Sequence, residues 1–250
     1  RIKAVYDARE TSGLSAEQKR VVQKTYDDFV RRGASLDADK KKRVGEINQT
    51  LAKLYTDFGN RVQADENTWV VLGKDQLGGL PESLVQSYKA AADERKVAGW
   101  LVVNTRSAVD PFLTFGDERS AREKVWRAFV ERGNHGDKND TNGLITEIVK
   151  LRAERAGLLG FASHAHWRMS DTMAKEPKAA EKLMMRVWPA AVARVKQEVA
   201  DMQKLATKLG HKLTVEPWDY RFYMEKVRKE RYDLDQNEFK QYFELENMIQ

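Results

Sequence analysis

The four histidines are the residues of this sequence whose type and spacing come nearest to metal chemistry. His164 and His166 stand two positions apart, a spacing that on a helix turns the two rings about 200° from each other. They could share a metal ion only on a strand or a loop. His135 lies in a polar stretch, and His211 follows a glycine typical of a helix end. Because a zinc site needs three or four converging ligands, we expect surface or capping roles for all four and assign no metal ligand.

The sequence contains no motif that supplies a catalytic or cofactor-binding centre. The zinc motif H-E-x-x-H, the nucleophile elbow G-x-S-x-G, the P-loop and the dinucleotide fingerprint G-x-G-x-x-G are all absent. The absence of cysteine excludes disulfides, thiolate zinc sites and a cysteine nucleophile. We therefore assign no catalytic and no cofactor-binding residue within residues 1–250.

Two groups of side chains allow a chemical interpretation beside a structural one. Glu154 and Arg155 could form buried pairs, but we favour a salt bridge on a helix surface. The aromatic stretch Trp218–Tyr223 could stack on a ligand. Since consecutive residues cover every side of a helix, we expect most of these rings to lie in the core.

The charge of the chain is high but mixed. It carries 44 basic and 38 acidic residues, a net charge of +6, and the two signs alternate within stretches such as Asp93–Lys96. The one dense basic run, Lys40–Arg43, has the pattern of a solvated helix side. A nucleic-acid surface concentrates basic residues on one face, so we expect no nucleic-acid partner. No apolar run approaches the roughly 20 residues of a membrane span, and no membrane partner is expected either.

Apolar spacing predicts two helices near the start of the chain. Ser15 and Gln18 form a capping box that opens the first helix, and Gly33 gives it a natural end. The second helix begins after Asp37 and carries one apolar stripe at steps of three and four. The stripe consists of Val44, Ile47, Leu51, Leu54, Phe58 and Val62. Because the link between the helices is short and contains glycine, we expect them to pair antiparallel.

Two short strands interrupt the helical pattern. Trp69–Leu72 and Trp100–Val103 are runs of aromatic, β-branched and other apolar residues next to glycines, which is typical of strands. Between them, Pro81 occupies the first position of a helix that reaches about Arg95. The pattern does not decide whether the two strands pair with each other.

Helical spacing returns from Asp110 onward. Asp117 is expected to cap a helix that ends at Gly133. After a polar loop, a second helix follows and stops at Gly157 or Gly160.

A long helix is predicted from Pro177 to Gly210, with a kink at Pro189. It carries a heptad-like apolar seam. The seam consists of Trp188, Val192, Val195, Val199, Met202, Ala206 and Leu209. Another helix covers Trp218–Tyr232, and Asp235–Glu238 offers a further capping box.

Together these elements predict a mainly α fold. We expect long antiparallel helices in a bundle-like lobe, with a small two-strand element at 69–72 and 100–103. No repeat, linker or domain boundary is visible, so residues 1–250 are expected to form a single mainly helical segment. The sequence starts at Arg1, and a new apolar pattern begins at Leu245 shortly before Gln250. We expect that both ends are truncated.

Three separated passages carry a family resemblance. One is PWDYRFYMEKVRKERYDLDQNEF at Pro217–Phe239. Another is FLTFGDERSAREKVWRAFVERG at Phe112–Gly133. Between them lies a helix–loop unit with LRAERAGLLGF at Leu151–Phe161 and DTMAKEP at Asp171–Pro177. In wording and order they resemble the thimet oligopeptidase and dipeptidyl carboxypeptidase family of zinc peptidases. The first passage looks most like the bacterial dipeptidyl carboxypeptidases, and the first 100 residues share the likeness more loosely.

The resemblance implies a mostly helical, two-lobed enzyme around a deep channel that admits short unfolded peptides. In that family the two histidines of H-E-x-x-H and a later glutamate hold zinc, the motif glutamate is the general base, and dipeptidyl carboxypeptidases release C-terminal dipeptides. No position of this sequence matches those residues, which belong beyond Gln250. At His166 the family often has an acidic residue, which weakens a metal-binding role for this histidine further.

The resemblance leads to one principal interpretation and two alternatives. In the first, the chain is a non-catalytic part of the N-terminal lobe and the start of the hinge to the missing catalytic lobe. In this interpretation the chain forms a wall of the substrate channel. Zinc and short peptides are bound only by the longer parent enzyme. That enzyme is expected in the cytoplasm, with the periplasm as the alternative. The runner-up is a stand-alone helical interaction module without enzymatic activity. A stand-alone metal protein that uses His164 and His166 is the third.

Overall fold

The structure is a computed structural model that describes residues 1–233 of the chain. It is mainly α-helical with one small sheet, which confirms the predicted fold class. The helices are α1 (Ile2–Asp7), α2 (Ala16–Arg31), α3 (Ala38–Glu66), α4 (Glu82–Glu94), α5 (Arg106–Phe115), α6 (Arg119–Val130), α7 (Asn142–Leu158), α8 (His164–Met169), α9 (Pro177–Lys208) and α10 (Tyr220–Tyr232). The strands are β1 (Trp69–Leu72) and β2 (Trp100–Val103). The predicted capping box at Asp235–Glu238 and the pattern that begins at Leu245 lie outside the described residues.

The chain divides into two compact units, and each is built from two separate stretches. Of the described residues, the first unit contains 1–60 and 141–186, and the second contains 61–140 and 187–233. Helices α3 and α9 each continue from one unit into the other. A division of this kind leaves no linker in the sequence, because the chain changes unit inside helices and at a loop.

In the first unit, the apolar stripe of α3 is buried against α7. Ile47 and Leu51 are almost fully buried, and the predicted stripe is confirmed at these positions. Their partners on α7 are Leu144, Ile148, Leu151 and Leu158. Glu154 forms an exposed ion pair with Arg43 at 2.6 Å, so the surface interpretation of this glutamate is confirmed.

Helix α2 opens at the predicted capping box. The Ser15 hydroxyl accepts from the Gln18 N–H, and the Gln18 side chain accepts from the Ser15 N–H. The helix packs on α1, where Tyr6 and Tyr26 stack at 3.9 Å, while the apolar stripe of α3 is covered by α7. Helix α2 contributes no fully buried residue, and Phe29 is half exposed.

In the second unit, the two strands pair antiparallel with Trp69 opposite Val103 and Leu72 opposite Trp100. This pairing settles the point that the sequence left open. Helices α4, α5 and α6 supply the rest of the core beside the sheet. The core residues of this cluster are Val70, Leu72, Tyr88, Val102, Val109, Phe112, Leu113, Ala121 and Val125.

The N-cap of α6 differs by one residue from the prediction. Glu118, and not Asp117, is the capping residue, and its carboxylate accepts from the Ser120 N–H at 3.2 Å. Asp117 is held in the preceding turn because its own N–H donates to the carbonyl of Gly78 at 2.9 Å. A tertiary hydrogen bond has moved the helix start.

Helix α9 follows its predicted bounds and continues through Pro189. The predicted seam is buried only at Met202 and Ala206, which pack against α10, and Leu209 at its end is 47% exposed. Trp188 and Val195 are 63% and 46% exposed, so the seam prediction is wrong for the N-terminal half. Within residues 1–233, no helix is long and apolar enough to cross a membrane.

Candidate functional site

Asp219 is the most deeply buried carboxylate of the described residues, and a proline-led turn places it. Pro217 has no N–H to lose and begins the 3₁₀ turn Pro217–Asp219 that leads into α10. The Asp219 side chain folds back and accepts from the Glu216 N–H at 3.1 Å. Because the side chain is completely buried, its remaining lone pairs need partners inside the protein.

Two arginines of α6 supply those partners. Arg119 donates to Asp219 Oδ2 from Nε at 3.0 Å and from Nη2 at 2.9 Å, and Arg122 Nη2 donates to Oδ1 at 2.8 Å. Burial by itself raises the pKa of Asp219, but hydrogen bonds from the two arginines and the Glu216 N–H outweigh it and hold the pKa below its usual range. The carboxylate therefore stays ionised at neutral pH and does not serve as a general acid.

Arg122 ties three parts of the second unit together. Its side chain is 2% exposed, and its guanidinium lies over the Phe222 ring at 4.0 Å. Its Nη1 donates to the carbonyls of Gly116 and Asp117 at 2.8 and 2.9 Å, in the turn between α5 and α6. Arg122 thus fixes this turn, α6 and the start of α10 relative to one another.

A cleft of about 510 Å³ lies beside this network in the second unit. Six residues that line it are Leu113, Trp126, Val199, Pro217, Tyr220 and Met224. Its polar groups include the Tyr220 hydroxyl, which donates to Glu198 Oε2 at 3.3 Å, and Arg221, which pairs with Asp110 at 3.1 Å. Apolar walls with a few polar groups are typical of sites that hold an organic ligand.

The aromatic stretch Trp218–Tyr223 serves two purposes. Phe222 and Tyr223 are buried, which confirms the predicted core role for these rings. Tyr220 lines the cleft, and Trp218 packs edge-on against Trp126 at 5.7 Å. The stretch therefore contributes both to the core and to the wall of the cleft.

The ion-pair network was not predicted, although the sequence contains a signal for it. Arg122 lies between Ala121 and Val125 on the buried side of α6, and an arginine in such a position requires a buried anion. What the sequence cannot supply is the identity of that anion, which lies 97 residues away.

The structure places the four histidines in separate surroundings. His166 Nδ1 is 2.7 Å from the Ser163 hydroxyl, and His211 Nδ1 is 2.7 Å from the Tyr223 hydroxyl. His164 packs against Trp167 at 5.5 Å between ring centroids. His135 Nε2 is 3.7 Å from a carboxylate oxygen of Asp65.

These positions do not converge on a metal site. Within residues 1–233, no group of three or more histidine, aspartate, glutamate or cysteine side chains could hold a metal ion. His164 and His166 both lie in the short helix α8, the arrangement in which an i, i+2 pair points to different sides.

Comparison with known proteins identifies the family. The sequence profile of peptidase family M3 matches residues 112–250, more than half of the chain. The chain therefore belongs to peptidase family M3, and the predicted family resemblance is confirmed.

Among individual relatives, the chain is 35% identical over 252 residues to the dipeptidyl carboxypeptidase of Escherichia coli (strain K12). This alignment covers 100% of the chain and 37% of that protein. It is 30% identical over 261 residues to the chloroplastic/mitochondrial organellar oligopeptidase A of Arabidopsis thaliana, an alignment that covers 99% of the chain and 32% of that protein. The oligopeptidase A of Salmonella typhimurium is 29% identical over 236 residues, and the alignment covers 92% of the chain and 35% of that protein. The chain spans about a third of the length of these relatives.

Metallopeptidases of family M3 are generally zinc-dependent, and the described residues do not fit a zinc ion. A catalytic zinc site needs three protein ligands around an open position. Here the histidine nitrogens face a hydroxyl, an indole or a single carboxylate. We derive no catalytic step through zinc for these residues.

Proposed function

We propose that this chain is a non-catalytic part of a longer zinc-dependent peptidase that hydrolyses short peptides and releases C-terminal dipeptides. In this proposal it belongs to the N-terminal lobe and the start of the hinge, and it forms a wall of the substrate channel. The observation that carries the proposal is an alignment with a dipeptidyl carboxypeptidase that includes the whole of this chain but only 37% of the relative. The absence of H-E-x-x-H from the sequence supports a catalytic centre elsewhere in the polypeptide.

The cleft of the second unit is the part of this wall that we propose to contact peptide. Its walls are mainly apolar, so it suits an uncharged side chain, while Tyr220 and Arg221 offer polar groups near it. The buried Arg122–Asp219 pair lies behind the cleft and holds α6 and α10 in place. A binding site keeps its geometry when the helices that form it are fixed by buried hydrogen bonds of this kind.

Kinetic measurements on the longer polypeptide test this assignment. We expect Met224→Ala, which removes an apolar wall, to raise KM for a short peptide about tenfold with little change in kcat, since uniform binding is lost. Leu209→Ala is the matched control, because Leu209 is 47% exposed and outside the cleft, and it should leave both constants unchanged. Equal effects of the two substitutions would remove the cleft from the proposal.

The division of labour within the polypeptide needs a separate experiment. The longer polypeptide should release dipeptides, identified by mass spectrometry, and lose activity when a chelator removes zinc. Residues 1–250 alone, supplied with zinc, should cleave nothing. Chelator-sensitive cleavage by residues 1–250 alone would contradict a non-catalytic role.

We further propose a cytoplasmic location. A relative from Arabidopsis thaliana, 29% identical over 261 residues, carries the name probable cytosolic oligopeptidase A. The lack of cysteine is compatible with a reducing compartment. Cell fractionation with antibody detection tests this, and recovery in a periplasmic extract would contradict it.

A stand-alone helical interaction module is the second candidate function, and the surface of α9 favours it. Five of the six residues 183–188 are apolar, and each of these five is more than half exposed. The coding sequence after Gln250 discriminates the two candidates: a downstream H-E-x-x-H supports the peptidase, and a stop codon supports the interaction module.

A further inference from the structure

A second cleft, in the first unit, differs in composition from the apolar cleft of the second unit. It has a volume of about 300 Å³, and four arginines line it. Arg31 and Arg32 come from the end of α2, Arg155 from α7 and Arg168 from α8. Among the described residues that line it, none is acidic.

One indole ring organises three of these arginines. The guanidinium carbons of Arg155, Arg168 and Arg31 lie 4.7, 5.7 and 5.9 Å from the ring centroid of Trp167. The ring itself is fixed, because its Nε1–H donates to the carbonyl of Arg31 at 3.0 Å. A guanidinium that rests on an aromatic ring still has N–H groups at its edge to offer to an oxyanion.

Carboxylates compensate only part of this positive charge. Asp28 lies 3.3 Å from Arg31 and 3.0 Å from Arg32, and it serves both of them. Asp171 is 4.0 Å from Arg31. Arg155 donates to the neutral side chain of Asn48 at 2.7 Å, and within residues 1–233 Arg168 has no hydrogen bond or ion pair.

One polar atom of the cleft and one beside its Trp167 ring are shielded from solvent and have no partner. They are Arg155 Nε and His164 Nδ1, within the described residues. Burial is the largest cause that lowers the pKa of Arg155; Tyr55 opposes this shift, and Arg152 and Arg168 add to it. The pKa of His164 is lowered by burial and then by the same group of arginines. For both groups burial is the largest cause of the lower pKa, and the neighbouring arginines add to it.

We infer that this cleft binds an oxyanion, either a phosphate group or a carboxylate, through the guanidinium groups of Arg155 and Arg168. Guanidinium donors match both anions because their parallel N–H groups meet two oxygens at once. Asn48 lines the same cleft and supplies a neutral polar group beside the anion. This site is independent of the proposed peptidase function and lies in the other unit from the peptide cleft.

Calorimetric titration at constant ionic strength tests the inference, with inorganic phosphate, acetate and chloride as separate probes. We expect phosphate or acetate to bind with one-to-one stoichiometry and chloride at least tenfold more weakly. Tighter phosphate binding identifies a phosphate ligand, whereas acetate binding at least as tight identifies a carboxylate. Absence of saturable binding by both, or equal binding of all three, overturns the inference.

A pair of charge-matched variants separates a built site from general attraction. Arg168→Gln removes an exposed arginine without a protein hydrogen bond in the described part of the chain, so the fold is retained, and it should weaken anion binding at least tenfold. Arg186→Gln removes the same charge from an exposed position of α9 outside the cleft and should leave the affinity unchanged. If both variants weaken binding equally, the anion responds only to net charge and the inference fails.

Discussion

At the scale of single residues, the second unit depends on a buried ion pair. Asp219 and Arg122 are almost wholly removed from water, and each has several hydrogen-bond partners. A buried pair of this kind adds little beyond an apolar pair of the same size, because desolvation offsets the attraction. Removal of one partner is another matter, since the other charge is then left buried and uncompensated.

We therefore expect Asp219→Asn to lower the free energy of unfolding by about 3–5 kcal/mol. Glu123→Gln is the control on the same element, because Glu123 forms a surface pair with Arg127 on α6 at 2.8 Å and should cost at most about 0.5 kcal/mol. Urea unfolding followed by tryptophan fluorescence measures both, since Trp126 and Trp218 lie close to the network. A loss below about 1 kcal/mol for Asp219→Asn would show that the pair is dispensable.

His164 gives the first unit a pH dependence of known sign. Burial and then Arg152 hold the pKa of His164 below the value of about 6.5 that it has when unfolded. The unfolded chain therefore binds the proton more readily, and the free energy of unfolding should fall as the pH decreases from about 7 through 6.5 towards the lower folded pKa.

Unfolding measurements between pH 8 and pH 5 check this slope, and His164→Gln should reduce it. Arg152→Gln removes one of the charges that lower the pKa of His164 and should reduce the slope to a smaller extent. Identical slopes in the original chain and His164→Gln would refute the assignment.

At the scale of elements, sequence patterns predicted an element correctly where the residues that determine it are close together in the sequence. The capping box of Ser15 and Gln18 and both strands needed only neighbouring residues, and the structure confirms them. The N-cap of α6 was missed because a hydrogen bond from Asp117 to the distant Gly78 decides it. The heptad pattern of α9 indicated an apolar face but not how far along the helix a partner extends.

The two halves of the α9 seam should respond differently to substitution. Met202→Ala should cost about 2–5 kcal/mol of unfolding free energy, because Met202 is 3% exposed and packs with Phe222. Val195→Ala should change it by no more than about 0.5 kcal/mol, because Val195 is 46% exposed. Chemical denaturation of both variants makes the comparison, and similar losses would restore the continuous seam that the sequence predicted.

At the scale of the whole molecule, the chain belongs to family M3, and within residues 1–233 no group of side chains could hold a metal ion. After dialysis against zinc and then buffer, elemental analysis of residues 1–250 should find far less than one zinc per chain, because His164 and His166 lack a third ligand among the described residues. The longer polypeptide should retain one zinc under the same treatment. Stoichiometric zinc on residues 1–250 that His166→Ala abolishes would revive a metal site on α8.

The sequence by itself determined the helical class, the two strands and the family, because these depend on local periodicity and on the wording of three passages. Only the tertiary structure decided that Arg122 meets Asp219 and that arginines from α2, α7 and α8 gather around Trp167. The physical reason is that no local sequence pattern identifies the partner of a charged side chain. The partner is decided by which helix faces pack together, and this packing joins residues that are far apart in sequence.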